Sequence, residues 1–353
     1  MKTSINILLV FLFMACTSVP DERMTPYVDF PETRELTART LSLDSALFRY
    51  PYRVRVQDDK AVVLDLHGTE YFFHAFHYPG FHYLSSFGKR GDAPEEMLSA
   101  ENLRWNGNFL WTLDSNKSEL TRLGFASSGD SLLRLETVSL DEELLRALDF
   151  AQYDDSTFII PDYSGDGRFC LVSRQGRLLR KIGTIPTTNE DALKNARPAL
   201  AQAWRSFIDY NPRNGVLAAV SQLGEVLEIY NLKDSTHIVR IGPNGEPEFQ
   251  ISQGYGIPTG IMGFSDIQVT DSAIYVVFQG RAFKDIMQKA KQSINLPDGG
   301  QYIYVFSLEG KPLRKYVLDH YIHGISVDEQ KGIIIAADVN KDEPIIEYCI
   351  NGM

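Results

Sequence analysis

The feature that most constrains the fold is a two-strand unit that occurs six times along the chain. In each unit, a short strand with a polar centre is followed by a turn and by an apolar strand that ends in an acidic or polar residue. The second strands are Ala61–Asp65, Leu110–Asp114, Phe158–Asp162, Leu217–Ser221, Tyr275–Gln279 and Ile334–Asp338. Their last residues are 48 to 59 positions apart. Repeats of this length that each begin with a β-hairpin are typical of a β-propeller.

The first strands alternate apolar and polar residues, as expected for strands in a sheet. The residues at their polar centres are Arg55, Arg104, Gln152, Asp209, Gln268 and Ser326. We expect these side chains to line a central channel, where the arginines would need water or carboxylate partners because a buried charge is costly without one.

Third and fourth strands can be placed after five of the units, whereas the sixth unit has only three strands. The segment Leu36–Leu43 alternates and precedes the first unit without belonging to it. We predict that it pairs as the outermost strand of the sixth blade, because an unpaired edge and an open ring would both be liabilities. The predicted fold class is therefore all-β: a six-bladed β-propeller closed by an N-terminal strand that pairs into the last blade.

The N-terminal residues read as a targeting signal. Lys2 precedes the apolar stretch Ile5–Ala15, which is too short to span a bilayer and fits a secretory signal peptide. Ala15 directly before Cys16 resembles a bacterial lipobox, which implies cleavage before Cys16 and lipidation of its thiol; the alternative is a soluble secreted protein cut nearby.

The predicted domain organisation follows from that signal. Residues 1–15 are the lipoprotein signal peptide, residues 16–35 are the lipidated cysteine and a polar tether with three prolines, and residues 36–353 are the propeller.

Three insertions interrupt the strand pattern. We predict a short helical turn at Glu143–Leu148, helical structure that Pro198 kinks or divides at Thr187–Trp204, and a helix at Phe283–Ile294 between the second and third strands of blade five. The remaining cysteines, Cys170 and Cys349, lie in apolar strands of different blades, and we expect two buried free thiols.

Two links between blades share a Gly-Pro-Glu pattern that turns the chain and then extends it. Their matching residues are Gly88, Gly91, Pro94 and Glu96 in one link and Gly242, Gly245, Pro247 and Glu248 in the other. This pattern resembles the linker of the six-bladed TolB-like and NHL-like propeller lipoproteins of Bacteroidetes. The resemblance implies the same fold and a location in the cell envelope, with the outer membrane as the expected site, and it implies no agreed catalytic residues.

Charge and motifs exclude several classes of function. The net charge of −11 argues against a nucleic-acid partner, because no basic excess exists to neutralise phosphates. The chain has no nucleophile elbow, phosphate loop or His-Glu-x-x-His zinc motif, so we expect no cofactor. His74 and His77 are three residues apart on one strand and would face opposite ways, so we expect no metal site there.

Topology narrows the search for a binding site better than motifs do. In a propeller, the loops between second and third strands and the links between blades emerge on one face, and both longest insertions belong to that face. The candidate ligand-binding residues of this face are Arg53, Asp65, Asn102, Asp114, Asp149, Asp162, Tyr163, Arg168, Trp204, Arg205, Asp266, Arg281, His323 and Asp338. The alternative for the strand-end aspartates is that they accept hydrogen bonds from turn amides.

The sequence favours a binding or interaction module, held at the membrane by its lipid anchor, whose ligand is a glycan, a peptide or a partner protein. An enzyme, either a lyase or a hydrolase with its site at the channel mouth, is the alternative, and a purely structural envelope scaffold is a third. Fold alone does not separate these classes, because propellers serve all of them.

Overall fold

The computed structural model describes residues 24–44 and 48–351, and its sheets form the six blades of a propeller. Before the first blade lie β1 (Met24–Pro26), β2 (Thr33–Leu36) and β3 (Arg39–Thr40). Blade one consists of β4 (Pro51–Gln57), β5 (Lys60–Asp65), β6 (Tyr71–His77) and β7 (His82–Lys89). Blade two consists of β8 (Leu103–Asn106), β9 (Phe109–Asp114), β10 (Glu119–Phe125) and β11 (Leu132–Ser139). Blade three consists of β12 (Ala151–Asp154), β13 (Thr157–Pro161), β14 (Phe169–Ser173) and β15 (Leu178–Ile182).

The second half of the ring follows the same order. Blade four consists of β16 (Ser206–Asn211), β17 (Val216–Ser221), β18 (Val226–Asn231) and β19 (Thr236–Ile241), and it is followed by a separate hairpin of β20 (Phe249–Ser252) and β21 (Tyr255–Pro258). Blade five consists of β22 (Phe264–Val269), β23 (Ala273–Phe278), β24 (Gly300–Ser307) and β25 (Pro312–Ile322). Blade six begins with β26 (Ile325–Asp328), β27 (Ile333–Ala337) and β28 (Ile345–Cys349). The first strands of neighbouring blades contact one another, which places them at the axis. The predicted fold class is confirmed.

The apolar second strands are buried on both faces, and β5 shows why. Val62 packs in a cluster with Leu110 of blade two, whereas the next residue, Val63, packs in a cluster with Ile335 of blade six. Successive side chains of a strand point to opposite faces, so a blade between two neighbours needs an apolar residue at every position of this strand. The continuous apolar runs of the sequence are the result.

The ring is closed by β3, which pairs antiparallel with β28. Arg39 lies opposite Glu347 and forms an ion pair with it at 2.7 Å, and the Leu41 N–H donates to the Ile345 carbonyl at 2.9 Å. The predicted closure by the N-terminal segment is confirmed, although the paired part is shorter than Leu36–Leu43. The last blade thus consists of three strands from the end of the described chain and one from its beginning.

The tether predicted for residues 16–35 is wrong from residue 24 onward. β1 pairs in parallel with β19 of blade four, and β2 pairs in parallel with β25 of blade five. Between them, Tyr27 and Phe30 are buried in the core between these two blades, where both rings contact Phe306. Burial of these two aromatic side chains holds the segment on the propeller, although its prolines and polar residues show no strand or helix periodicity. Residues 1–23 lie outside the described part of the chain, and so do the predicted signal peptide and Cys16.

Within residues 24–44 and 48–351 there are three helices: α1 (Glu190–Asn195) and α2 (Arg197–Ala203) in the link between blades three and four, and α3 (Phe283–Lys291) within blade five. Pro198 lies in the first turn of α2 and divides the Thr187–Trp204 insertion into two helices, as predicted. The helical turn predicted at Glu143–Leu148 is wrong: this segment forms turns only, and Arg146 has a φ of 48°, which no right-handed helix accommodates.

We call the side of the ring that carries the second-to-third-strand loops and the links between blades the insertion face. It bears α1, α2, the hairpin β20–β21 and α3. The hairpin packs on α2, where the Gly256 N–H donates to Gln202 Oε1 at 3.3 Å. These additions therefore stand side by side over blades four and five.

Both cysteines of the described chain are free, and their exposure differs. Cys170 is buried, as predicted, but Cys349 is exposed, so the prediction of two buried thiols is half wrong. β3 covers β28 only at Ile346 and Glu347, which leaves the end of that strand open to solvent.

Candidate functional site

The strand-end aspartates hold the loops of the insertion face. Asp65 accepts hydrogen bonds from the backbone N–H groups of Arg49 and Tyr50, at 2.9 and 2.6 Å. Asp114 accepts from the N–H groups of Leu98 and Lys117, at 2.7 and 3.0 Å. Both carboxylates are buried.

The remaining two act in the same way. Asp162 accepts from the N–H groups of Ser164 and Gly167, at 3.0 and 2.8 Å. Asp338 accepts from the Asn340 N–H at 2.9 Å and contacts His320 Nδ1 at 2.8 Å. The alternative interpretation of these aspartates, as acceptors for turn amides, describes their contacts.

Charged side chains fill the centre of the ring. Asp266 pairs with Arg53 and with Arg55, the latter at 2.8 Å. Arg104 pairs with Asp149 at 3.1 Å and with Asp209 at 2.6 Å. Three arginines and three aspartates make the formal charge of this group zero. We call these six residues the central ion-pair network: Arg53, Arg55, Arg104, Asp149, Asp209 and Asp266.

Several of the predicted ligand-binding residues belong to the central ion-pair network or bind to one of its members. Arg53, Asp149, Asp266 and Asn102 are all fully buried, and Asn102 Nδ2 donates to Asp149 Oδ1 at 2.6 Å. Burial alone would raise the pKa of Asp266, but Arg53 and the nearby Arg55 outweigh it and hold that pKa below its ordinary value. The structure thus places these residues in contacts that join blades rather than at an open surface.

A second buried pair joins blades three and four beneath α2. Arg168 binds Glu228 at 2.6 Å, and its guanidinium also donates to the carbonyl of Trp204 at 3.3 Å. Trp204 and Tyr163 are buried, and Arg205 is half-buried. The four predicted ligand-binding residues of this region therefore lie beneath α2 and support it.

Polar and aromatic side chains converge at the channel mouth between blades one, five and six. Tyr50 Oη donates to Asp298 Oδ2 and lies 3.1 Å from His323 Nε2. His323 Nε2 lies 3.2 Å from the other carboxylate oxygen of Asp298. The side chain of Asp298 remains 48% exposed, so part of the carboxylate is open to a ligand. We call this group the mouth cluster, and its members are Tyr50, Tyr52, Arg281, Asp298, Tyr321 and His323.

Aromatic rings surround Asp298 and His323. The Tyr52 ring lies 4.9 Å from the ring of His323 and 6.1 Å from the ring of Tyr50, with which it is stacked. The exposed ring of His67 meets Tyr50 at 4.9 Å. Apolar ring faces therefore lie beside fixed hydrogen-bonding groups.

Arg281 lies before α3, at the edge of the mouth cluster, and its side chain binds the segment that follows the helix. Its guanidinium lies over the Tyr321 ring at 4.8 Å, and it donates to the carbonyls of Pro297 and, at 3.2 Å, Gly299. The segment that carries Asp298 is thus fixed on both sides.

The surroundings of Asp298 and Tyr50 shift the pKa of each in opposite directions. Contacts with His323 and Tyr50 hold the pKa of Asp298 well below its ordinary value. Burial, together with the Asp298 carboxylate, raises the pKa of Tyr50. Near neutral pH the carboxylate is therefore ionised and the phenol is protonated, so the phenol donates to the carboxylate, whose remaining lone pairs stay acceptors.

The strand-end aspartates position this cluster. Asp65 binds the backbone N–H of Tyr50. Asp338 binds Asn340, whose side chain bonds both the N–H and the carbonyl of Asp298, at 2.7 and 2.8 Å. The recurrent acidic residue of the sequence repeat is in this way connected to the site through two loops.

Of the mouth cluster, the sequence prediction contained Arg281 and His323 and missed Tyr50, Tyr52, Asp298 and Tyr321. The Tyr-Pro-Tyr run at the start of β4 was one available signal, since it places two aromatic rings at the entrance to a blade. His74 and His77 lie on β6 outside this cluster: His74 is half-buried and bonded to Ser86 at 2.8 Å, and His77 is exposed. Within residues 24–44 and 48–351, no three His, Cys, Asp or Glu side chains are grouped so as to hold a metal ion.

The closed ring of six blades, each with four antiparallel strands and two with an added parallel edge strand, defines the chain as a six-bladed β-propeller. The family described as TolB-like 6-blade propeller-like matches residues 29–330, and the chain belongs to this family. A comparison with curated proteins gives no match.

Solved structures of three proteins from Bacteroides share the fold. A Bacteroides fragilis protein named as exported has a TM-score of 0.55 at 10% identity, over 92% of this chain and 98% of that one. A DUF4221 family member from Bacteroides vulgatus has a TM-score of 0.54 at 10% identity, over 90% and 96%. An auxiliary nutrient binding protein from Bacteroides ovatus has a TM-score of 0.54 at 10% identity, over 89% and 76%.

None of the helices in the described ranges combines the length and apolar character that crossing a membrane requires.

Proposed function

We propose that this chain is a lipid-anchored binding module of the cell envelope that takes a glycan at the mouth cluster. Sugars offer apolar C–H faces and many hydroxyl groups. The mouth cluster offers aromatic rings beside a carboxylate, a phenol and an imidazole, which suit both kinds of surface.

The observation that carries this proposal is the fixed geometry of Tyr50, Asp298 and His323. Their mutual hydrogen bonds hold the polar groups in place before a ligand arrives, so little ordering is lost on binding. The half-exposed carboxylate retains acceptor capacity for ligand hydroxyls.

The proposed location depends on the N-terminal sequence. The apolar stretch before Cys16 supports export, and the Ala15–Cys16 pair supports lipidation and retention at the outer membrane. The names of two structural neighbours, one exported and one nutrient-binding, agree with an exported binding protein.

An enzyme, a lyase or hydrolase at the channel mouth, is the second candidate. The observation that favours it is the same hydrogen-bonded set, because His, Asp and Tyr are residue types that transfer protons. The pKa directions favour binding instead: Asp298 stays ionised and Tyr50 stays protonated around neutral pH, so neither exchanges a proton readily there.

The test begins with glycan and peptide arrays probed with the chain from Thr17, followed by calorimetric titration of each hit. We expect a glycan hit, and we expect Asp298→Asn to weaken its affinity by roughly 10- to 100-fold, the loss of a charge-assisted hydrogen bond. Asp342→Asn is the matched control, since this carboxylate is exposed on a neighbouring loop of the same face.

Binding of peptides alone, or equal effects of the two substitutions, would refute the glycan site. Conversion of a bound glycan to product, followed by NMR, would establish the enzyme in its place.

A further inference from the structure

The direction of β1 shows from which side of the ring the chain before it arrives. β1 runs parallel to β19, with Met24 opposite Val239 and Pro26 opposite Ile241. β19 runs from the turn that follows β18 to the link that leads toward blade five, so it ends at the insertion face. The residues before Met24 therefore lead to the opposite side of the ring. We call that side, which is formed by the turns between first and second strands and between third and fourth strands, the turn face.

The contacts of Tyr27 fix β1 in this direction. The Tyr27 N–H donates to the Ile241 carbonyl at 2.9 Å, which holds the end of β1 at the insertion face. Its hydroxyl donates to the buried carboxylate of Glu225 at 2.7 Å, and its ring contacts Phe306. β2 then pairs with β25 in the same direction. The end of β1 that leads toward Cys16 is thus the end nearer the turn face.

The length of chain before Met24 limits how far the anchor lies from the ring. Eight residue steps separate Met24 from Cys16, so the lipid is attached at most about 28 Å from Met24. Thr236–Ile238 of β19 lie between the level of Met24 and the turn face, a distance of about 10 Å. A chain that continues in the direction of β1 therefore places the lipid at most about 18 Å beyond the turn face.

The turn face is polar and offers no insertion that would enter lipid. Every helix and the additional hairpin in the described part of the chain belong to the insertion face. The turns of the turn face hold eight carboxylates and six cationic side chains. Charged side chains are costly to place among acyl chains, so we expect the lipid on Cys16 to enter the membrane and the propeller to stay outside it.

The mouth cluster lies at the other end of the ring axis. His323 precedes the first strand of blade six, and Asp298 lies in the loop between the second and third strands of blade five, so both belong to the insertion face. β19 has six residues and spans about 20 Å between the two faces. A membrane beside the turn face is separated from the mouth cluster by this thickness and leaves the half-exposed carboxylate of Asp298 open to the solution.

We propose that the lipid anchor holds the ring with its turn face toward the membrane and its mouth cluster toward the aqueous phase. This inference rests on the anchor and the glycan site of the proposed function. The glycan that the mouth cluster takes is then a soluble saccharide, or the chain end of a glycan that approaches from the solution. A glycolipid of the anchoring membrane carries its sugars on the other side of the ring and does not reach the site.

Energy transfer to the membrane measures this orientation. Single cysteines are placed on opposite faces of blade six, Gln330→Cys on the turn face and Asp342→Cys on the insertion face, in a chain that also carries Cys349→Ser. Each variant is labelled with a coumarin donor, and the lipidated chain is added to preformed phosphatidylcholine vesicles that contain NBD-labelled phosphatidylethanolamine as the acceptor. We expect several-fold higher transfer efficiency from the probe at residue 330 than from the probe at residue 342.

A second pair of probes tests whether the whole turn face, and not one rim of the ring, lies toward the membrane. Blade one lies across the six-bladed ring from blade four, which carries β1. Asp59→Cys on the turn face should again give higher transfer than Thr69→Cys on the insertion face, and both positions are exposed. Equal transfer from the two faces in either pair, or higher transfer from the insertion face, overturns the inference.

Two further measurements separate this inference from the proposed function. Labelling with radioactive palmitate tests lipidation of Cys16, and a chain without label overturns the anchor and this inference together. The saccharide found on the array is then offered as a glycolipid, either in the vesicles that hold the chain or in separate vesicles. We expect competition with the free saccharide from separate vesicles alone, and competition from the same vesicles overturns the inference. If every array saccharide fails to bind, the glycan site is refuted, and the transfer measurements still decide the orientation.

Discussion

At the scale of single residues, charge placement determines how this ring holds together. Asp266 lies between Arg53 and Arg55 of blade one and also accepts the Ile325 N–H of blade six at 2.9 Å. One carboxylate therefore joins three blades at the axis. The same residue type at the strand ends organises the loops instead, so the aspartates of this chain act mainly as connectors.

Replacing Asp266 with Ala should destabilise the fold by about 3–5 kcal/mol, because it leaves two arginines buried without a counter-charge. Urea denaturation of the chain from Thr17 measures the effect. Asp59→Ala removes a carboxylate that is 61% exposed and pairs with Lys60, and it should change the unfolding free energy by less than about 1 kcal/mol. Similar losses from the two substitutions would mean that the central network does not carry the stability assigned to it.

At the scale of elements, the N-terminal segment is an integral part of three blades. β1 and β2 add parallel strands to the outer edges of blades four and five, and β3 completes blade six. Parallel addition at an outer edge covers backbone groups that would otherwise invite pairing with another chain. The segment that links the propeller to its proposed anchor is correspondingly short.

Phe30→Ala should lower the free energy of unfolding by about 3–5 kcal/mol, the cost of truncating a buried aromatic side chain. Val28→Ala, two residues away and 84% exposed, should have almost no effect. Thermal and urea unfolding of both variants test this pair directly. If neither substitution mattered, residues 27–30 would behave as the tether that their composition indicates.

Two elements show why sequence patterns reached some of this structure and not the rest. The hairpin β20–β21 was missed although its turn residues Gln253 and Gly254 both have positive φ, as in a two-residue hairpin turn. It lies outside the six-fold repeat, and the repeat was the signal that located the other strands. Phe30 likewise has no periodic partner, because its contacts lie almost 280 residues away in blade five.

At the scale of the whole molecule, ring closure creates the candidate site. Tyr50 and Asp298 are 248 residues apart and meet only because blade one follows blade six around the axis. The repeat predicted the number of blades and the face on which loops gather. It carried no information on which loop residues of blades one and five would meet, since those residues differ from one repeat to the next.

The ring axis opens at two mouths, and experiment can decide at which of them the ligand binds. The opposite mouth holds a cavity of about 240 Å³, lined by Gln57, Gln268, Ser326 and Lys331 among others. It is formed by hairpin turns and carries none of the insertions. A ligand-binding propeller of the kind proposed here uses the insertion face.

Hydrogen–deuterium exchange of the chain from Thr17, with and without a saturating glycan from the array, tests this claim most directly. The account predicts slower exchange in peptides that cover residues 48–52, 296–300 and 321–323. Slower exchange confined to residues 57–60, 270–272 and 328–331 would place the ligand at the opposite mouth and contradict it.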